Sequence, residues 1–292
     1  MPLEETLFFA ARDLGLEIDR LNIRAVGGGD AVRAWQLHTP GRRVFLKTCP
    51  PGQKKMLADE ADGLTALAKT GVLRLPEILG RGQTDRLAWL ALEYLQLEPR
   101  NSTVDERLGR QLAALHSHSG EQHGWHIDNH IGPSPQINTP EDSWAVFFAR
   151  HRLGFQFDLL GQKMPNSRAL KLKDEVIAAW RRCAENHQPQ PSLLHGDLWS
   201  GNAAALEDRQ PVVYDPAVHY GDRECDLAMT RLFGGFSMQF YRAYEQAWPL
   251  PPGAEERQGF YRLYHLLNHA SLFGSAYVDA AIELAERLSN RF

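Results

Sequence analysis

The sequence predicts an α+β chain in two unlike lobes: a small, mainly antiparallel β lobe carrying one helix against its sheet, then a larger, mainly helical lobe. Two observations carry this. Between Asn22 and Glu93, short extended runs alternate with turn residues, whereas beyond Ser102 most segments place apolar residues at helical spacing. Within the helical part, HGDLWSGN (His195 to Asn202) and DPA (Asp215 to Ala217) follow two short apolar runs, Ser192 to Leu194 and Pro211 to Tyr214. These runs read as strands that deliver Asp197 and Asp215 to one place. The lobe boundary is expected at 95/96, giving residues 1–95 and 96–292.

At 292 residues and 43% hydrophobic content, the chain is long enough for a large core or two modest ones. The net charge of -4 and the absence of a block of basic residues argue against nucleic acid and against a charged membrane surface as partners. Cys49, Cys183 and Cys225 show no CxxC spacing, which fits a reducing compartment. The opening MPLEETLFFAARDLGL carries acids where an export signal carries bases, so a soluble cytoplasmic protein is expected. The oligomeric state is open, with a monomer favoured.

In order along the chain, Leu3, Leu7, Ala10, Ala11 and Leu14 share one helical face over residues 3–16. The pattern then becomes a strand at Ile23 to Val26, a glycine loop at Gly27, Gly28 and Gly29, a strand at Val32 to His38, a TPGR turn, and a strand at Arg43 to Thr48. The triplet lets backbone N–H groups approach phosphate oxygens, although such runs also serve as flexible turns. Lys47 on the third strand could reach α- and β-phosphates beneath that loop. Leu57, Glu60, Leu64 and Leu67 recur at helical spacing, putting Glu60 in an apolar stripe. It either solvates at the stripe's edge or pairs with Lys47; the pair is the favoured reading.

Strands at Glu77 to Gly80 and Ala88 to Glu93 follow. The stretch from Glu93 through Leu95 fits an interlobe hinge whose backbone pairs with adenine, and equally a plain strand end and linker. Ser102 and the acids after it should start a helix that ends near His116. Five histidines between His116 and His130 read as polar loop residues, since no zinc-ligand spacing joins them. Amphipathic helices are expected over 142–160 and 167–186, and again from Gln239 to Phe292 with breaks at Pro249 to Gly253 and near Gly274. Asp222, Glu224 and Asp226 sit at a helix start, where capping accounts for any of them. Asp226 could instead accept backbone hydrogen bonds from the loop bearing Asp197 and orient it.

Asp197 and Asn202 are five residues apart, the spacing of the catalytic Asp and metal-binding Asn in kinase catalytic loops. Either acid alone would pass for an ordinary turn residue. Together they suit phosphoryl transfer: Asp197 to accept a hydroxyl proton, Asn202 and Asp215 as hard oxygen ligands for Mg²⁺ bound with ATP.

These motifs, with the FLK lysine, GWHIDNHIG at 124–132, QIN at 136–138 and YGDRECDLAMTRLFGGF at 220–236, resemble the fructosamine kinase (ketosamine-3-kinase) family. That family shares a superfamily with aminoglycoside phosphotransferases and choline kinases. The likeness runs from about Gly27 to Tyr277. It implies a bilobal protein-kinase-like fold, with ATP-dependent phosphorylation of a ketosamine at O3 that destabilises the adduct and releases the amine. It also implies Asp197 as base, Asn202 and Asp215 as metal ligands, Lys47 as phosphate contact and Glu60 as its partner. Trp199 would flank the acceptor sugar, with His265 and Asn268 as further pocket candidates.

A protein kinase is disfavoured, because ten residues between Asp215 and Asp226 cannot form a peptide-docking segment and Gly196 replaces the arginine of HRD. An aminoglycoside or choline kinase would use the same catalytic parts, and a surplus of pocket acids would favour it. A nucleotide-binding regulator without catalysis should have lost one of Lys47, Glu60, Asp197, Asn202 or Asp215, and all are present.

Overall fold

In the computed structural model, the described residues are 3–17, 21–28, 32–165 and 168–292. The first lobe is a five-stranded antiparallel sheet of β1 (Asn22–Gly28), β2 (Arg33–Thr39), β3 (Arg42–Cys49), β4 (Ile78–Gln83) and β5 (Ala88–Glu93) in the order β1-β2-β3-β5-β4. The opening helix α1 (Leu3–Asp13) buries Leu7, Ala10 and Ala11 against Leu37, Val44, Leu46, Trp89 and Ala91 on one face. A 3₁₀ turn at Pro51–Gln53 leads into α2 (Lys54–Ala68), whose Leu57, Ala61, Leu64 and Leu67 cover Leu90 and Leu92 on the other. With both faces of β5 covered, its sequence AWLALE reads as a continuous apolar run rather than an alternating one.

Two of the three glycines expected in a loop belong to a strand. β1 runs on through Gly27 and Gly28, which pair with Ala34 and Arg33 after an irregularity at Ala25 to Gly27. Gly29 lies outside the described residues.

The larger part starts with α3 (Ser102–His116). It starts at Ser102 as expected, and its N-cap is Asn101, whose side chain accepts from the Val104 N–H at 3.0 Å. Next come β6 (Asn129–Ile131) and β7 (Ser134–Gln136), a small hairpin. The expected single helix over 142–160 is instead α4 (Trp144–Phe147), a π-helical turn at Phe148–Gly154 and α5 (Phe155–Lys163). A 3₁₀ turn at Arg168–Leu172 precedes α6 (Lys173–Cys183). The centre of the chain holds β8 (Ser192–Leu194), β9 (Ala203–Ala205), β10 (Pro211–Val213) and β11 (His219–Gly221). Then follow α7 (Glu224–Leu232), α8 (Met238–Ala247), α9 (Ala254–Phe273) and α10 (Ser275–Arg291). No described helix is long and apolar enough to cross a membrane.

The two short apolar runs are both strands, but not partners: β8 pairs with β11 and β10 with β9. One core, built on Trp144, Phe147, Phe148, Trp180, Phe260 and Tyr261, belongs to the helical part. A second crosses between the lobes, joining Leu90 and Leu92 to Leu108, Leu112, Leu193, Leu198 and Phe240. Leu198, inside HGDLWSGN, is fully buried in this core, so apolar burial anchors the loop bearing Asp197.

Candidate active site

β8 ends at Leu194 and the chain turns sharply at Gly196, whose φ is +83°. A Cβ at this position would lie 2.0 Å from the Ala217 carbonyl oxygen, so any larger residue requires the backbone to move. This is why glycine stands where a protein kinase has arginine. The turn is held from below by Asp226 on α7, which accepts the N–H groups of His195 and Gly196, each at 2.8 Å. His116 Nε2 lies 3.1 Å from the same carboxylate, and His116 Nδ1 meets Tyr244 Oη at 2.8 Å. Burial pushes the Asp226 carboxyl up, but His116, His195 and the Gly196 N–H outweigh it, and its pKa is held below the ordinary value. Asp226 is thus both an acid in the first turn of a helix and the group that holds the backbone of the loop. His195 is fully buried and kept neutral by desolvation; its Nδ1 accepts the Asp197 N–H and its Nε2 faces the Tyr214 carbonyl at 3.1 Å.

Lys47 joins the lobes. Its Nζ lies 2.7 Å from Glu60 Oε1 and 2.7 Å from Asp215 Oδ1. Burial would lower the ammonium's pKa, but Asp215 and then Glu60 reverse this and hold it above its usual range. Glu60 is raised by desolvation against the pull of Lys47. Asp215 is a non-glycine residue at φ +57°, a left-handed conformation costing about 1 kcal/mol or more, which its contacts must offset.

Asn202 ties the loop together, donating from Nδ2 to the Asp197 carbonyl at 2.9 Å and to Asp197 Oδ2 at 3.2 Å. Its amide oxygen is left for a cation. Together with the Asp215 carboxylate, which is 45% exposed while Lys47 and Glu60 are nearly buried, it makes a hard oxygen donor set that fits Mg²⁺. The Asp197 carboxyl is pushed up to about 7 by burial and by the nearby Asp215 charge, with Asn202 opposing.

These groups line a cleft of about 650 Å³, with Val32, Met56, Asp59, His130, Lys163, Trp199, Leu272 and Phe273. Asp59 (α2), His130 (β6), Lys163 (end of α5) and Phe273 (end of α9) escaped the sequence reading, because they converge from elements far apart in the chain and belong to no short motif. His130 alone had a signal, lying within the GWHIDNHIG segment.

Two expected pocket residues, His265 and Asn268, turn away from the cleft, and the side chains of Glu93 and Leu95 do not line it. His265 and Asn268 are each 2% exposed, buried on the core side of α9. Both follow helical periodicity into the core, and the cleft receives the end of the same helix instead. Glu93 turns to its own lobe: its N–H donates to the Glu77 carbonyl at 2.8 Å, and its carboxylate pairs with Arg74 at 2.5 Å. Leu95 follows it and does not line the cleft either. The histidines are also not simply polar loop residues. His116 and His123 are buried at 0% and 3%, and His130 pairs with Asp59 at 2.5 Å.

The comparisons with known proteins agree with this geometry. The sequence profile of the fructosamine kinase family matches residues 6–291. A Synechocystis protein named a probable ketoamine kinase is 41% identical over 90% of this chain and 89% of its own. The chloroplastic protein-ribulosamine 3-kinase of Oryza sativa is 35% identical over 90% and 78% respectively. Among solved structures, one described as a fructosamine-3-kinase from Haemophilus somnus superposes with a TM-score of 0.87 at 29% identity, covering 95% of this chain and 94% of that one. At 16% identity, a thermostable aminoglycoside phosphotransferase APH(4)-Ia, crystallised with ADP and hygromycin B, shares the fold alone (TM-score 0.67, 100% and 96% covered). The fold is protein-kinase-like, and the chain is a phosphotransferase.

Proposed function

The chain belongs to the fructosamine kinase family, and from that premise we propose that it transfers the γ-phosphoryl group of ATP to the O3 hydroxyl of a ketosamine, a fructosamine or ribulosamine adduct. The observation that carries this reading is the Lys47 ammonium bridging Glu60 and Asp215 across the lobes, in the same cleft as the raised Asp197 carboxyl. Asp197 takes the O3 proton as oxygen attacks; the new bond is O3–P, the broken one joins the γ-phosphorus to its bridging oxygen, and ADP leaves. Lys47 holds the transferred group's neighbouring phosphates, and Glu60 fixes Lys47. Asn202 and Asp215 would hold Mg²⁺, which when bound supplies charge neutralisation at the phosphate oxygens. Asp226 acts through the backbone, keeping Asp197 aimed. The 3-phosphate makes the adduct unstable, so the amine is released.

The cleft's charge balance supports a ketosamine over a polycationic acceptor. Its acids are already engaged: Glu60 and Asp215 by Lys47, Asp59 by Lys55 and His130, and Asp197 by Asn202. Lys163 adds a positive charge to the same cleft.

The test is ADP release with Mg²⁺-ATP and fructoselysine, ribuloselysine, an aminoglycoside or choline, with Asp197→Ala as blank. Turnover confined to the two ketosamines is expected, with Asp197→Ala inactive but still binding ATP. Turnover on choline or the aminoglycoside alone would move the substrate, and silence on all four would overturn the reading.

A further inference from the structure

Aromatic rings continue outward from the cleft as an open shelf. The Trp199 and Phe233 ring centroids are 6.1 Å apart, and Phe233 lies 4.9 Å from His269. His269 in turn meets Phe273 at 5.5 Å and Tyr277 at 5.2 Å. Trp199 and Phe233 are each 38% exposed and Phe273 63%, whereas the rings of the helical core are fully buried. The shelf draws on the catalytic loop, the end of α7, the end of α9 and the start of α10.

This convergence is held in place. Gly235, at φ +87°, comes so close to the catalytic loop that a Cβ there would sit 2.6 Å from Ser200 Cβ. The approach presses the segment after α7 against the loop and seats Phe233 beside Trp199. Trp199 follows Asp197 by two residues, and both Trp199 and Phe273 line the cleft, so the shelf starts within side-chain reach of the base. Lys163, which donates to the Ser271 carbonyl at 2.8 Å, lines the same cleft as Phe273.

We propose that this shelf is the subsite for the amine portion of the acceptor. It takes an apolar stem, a chain of several methylenes or an aromatic ring, between the ketosamine nitrogen and the next polar group. The proposal deepens the ketosamine reading above and rests on it.

The experiment compares kcat/KM for the fructosamines of glycine, of the lysine side chain and of benzylamine, in the wild type, Phe273→Ala and Phe233→Ala/Phe273→Ala, with melting curves on each. The wild type is expected to favour the two apolar-stemmed acceptors over the glycine adduct by about tenfold or more. The double variant should bring that ratio close to one, chiefly through KM for the acceptor, with an ATP KM that stays within about twofold. Phe273→Ala, at the most exposed ring, should fold normally and fall between. Ratios near one in an active wild type, or a double variant that keeps the wild-type ratio, would overturn the shelf and leave the ketosamine reading standing. No turnover on any of the three adducts would remove both.

Discussion

The Asp226 carboxylate lies 2.8 Å from the Gly196 nitrogen, so a helix in the larger lobe directly fixes the backbone turn that presents Asp197. Its other oxygen takes the His195 N–H at 2.8 Å. Asp226→Asn keeps the shape but exchanges a charged acceptor for an amide that cannot receive both N–H groups. Buried charge-assisted bonds of this kind contribute roughly 1.5–3 kcal/mol each. We expect kcat to fall about 10- to 100-fold while ATP binding, read by calorimetry, changes less than about threefold. Because the Asp226 pKa is depressed on folding, its stabilisation is full above the unfolded carboxylate range and disappears as pH falls through the lower folded value. The Asn variant should therefore lose most, relative to wild type, at neutral pH.

The Asp197 carboxyl titrates near 7, so the free enzyme's base is half protonated at neutral pH. With Mg²⁺-ATP saturating, kcat/KM for the acceptor should rise with pH and level off at an apparent pKa below that of the unliganded protein, because a cation held by Asn202 and Asp215 favours the neighbouring carboxylate. A carboxyl NMR titration of the unliganded protein should show the elevated group near 7, and its absence between pH 6 and 8.5 would remove the elevation.

The same elevation has a cost in stability. A carboxyl whose folded pKa exceeds its unfolded value binds more protons in the native state, so stability falls as pH rises from the ordinary aspartate value of 3.8 to about 7. Above that window the whole penalty is present. Asp197→Asn should therefore stabilise the unliganded protein at pH 8, by about 1–2 kcal/mol after allowing for solvent in the open cleft, or roughly 3–6 °C in Tm. The gain should vanish near pH 4. Equal gains at both values would mean that the charge of Asp197 is not the cause.

Much of this site was legible because it depends on local spacing. HGDLWSGN carries the proposed base, the proposed amide ligand and the glycine that permits the turn, and the strand lysine and helix glutamate announced a pair whose atoms lie 2.7 Å apart. What escaped is nonlocal. Periodicity correctly puts His265 and Asn268 on a helix, but it cannot say that their face is buried while Phe273, at the helix end, meets the cleft. The π-helical turn at Phe148–Gly154 leaves no mark in an aromatic stripe that packs equally well on a regular helix. Glu93 pairs its carboxylate with Arg74, a partner no local pattern announces, which leaves untouched the expectation that concerned its backbone.

The support beneath the catalytic loop depends on another buried pair. Arg257 on α9 grips Glu224 through two bonds, at 3.0 and 2.7 Å, and both residues are almost wholly buried. Glu224 starts the helix that carries Asp226, and even with Arg257 in place its carboxyl is pushed up to about 7 by burial and by Asp222. Arg257→Leu strands the buried Glu224 carboxylate without its counter-charge, beside Asp222, which keeps His187 and Tyr261. Removing one partner of such a pair costs about 3–5 kcal/mol, whereas replacing both with apolar residues is often close to neutral. Urea unfolding should show that loss for Arg257→Leu and recovery of at least about 2 kcal/mol in Arg257→Leu/Glu224→Leu. The single variant's deficit should also shrink from pH 8 to pH 6, because Glu224 can then stay protonated and uncharged. A deficit independent of pH, or no recovery in the double variant, would assign the loss to packing around Arg257 rather than to the stranded charge.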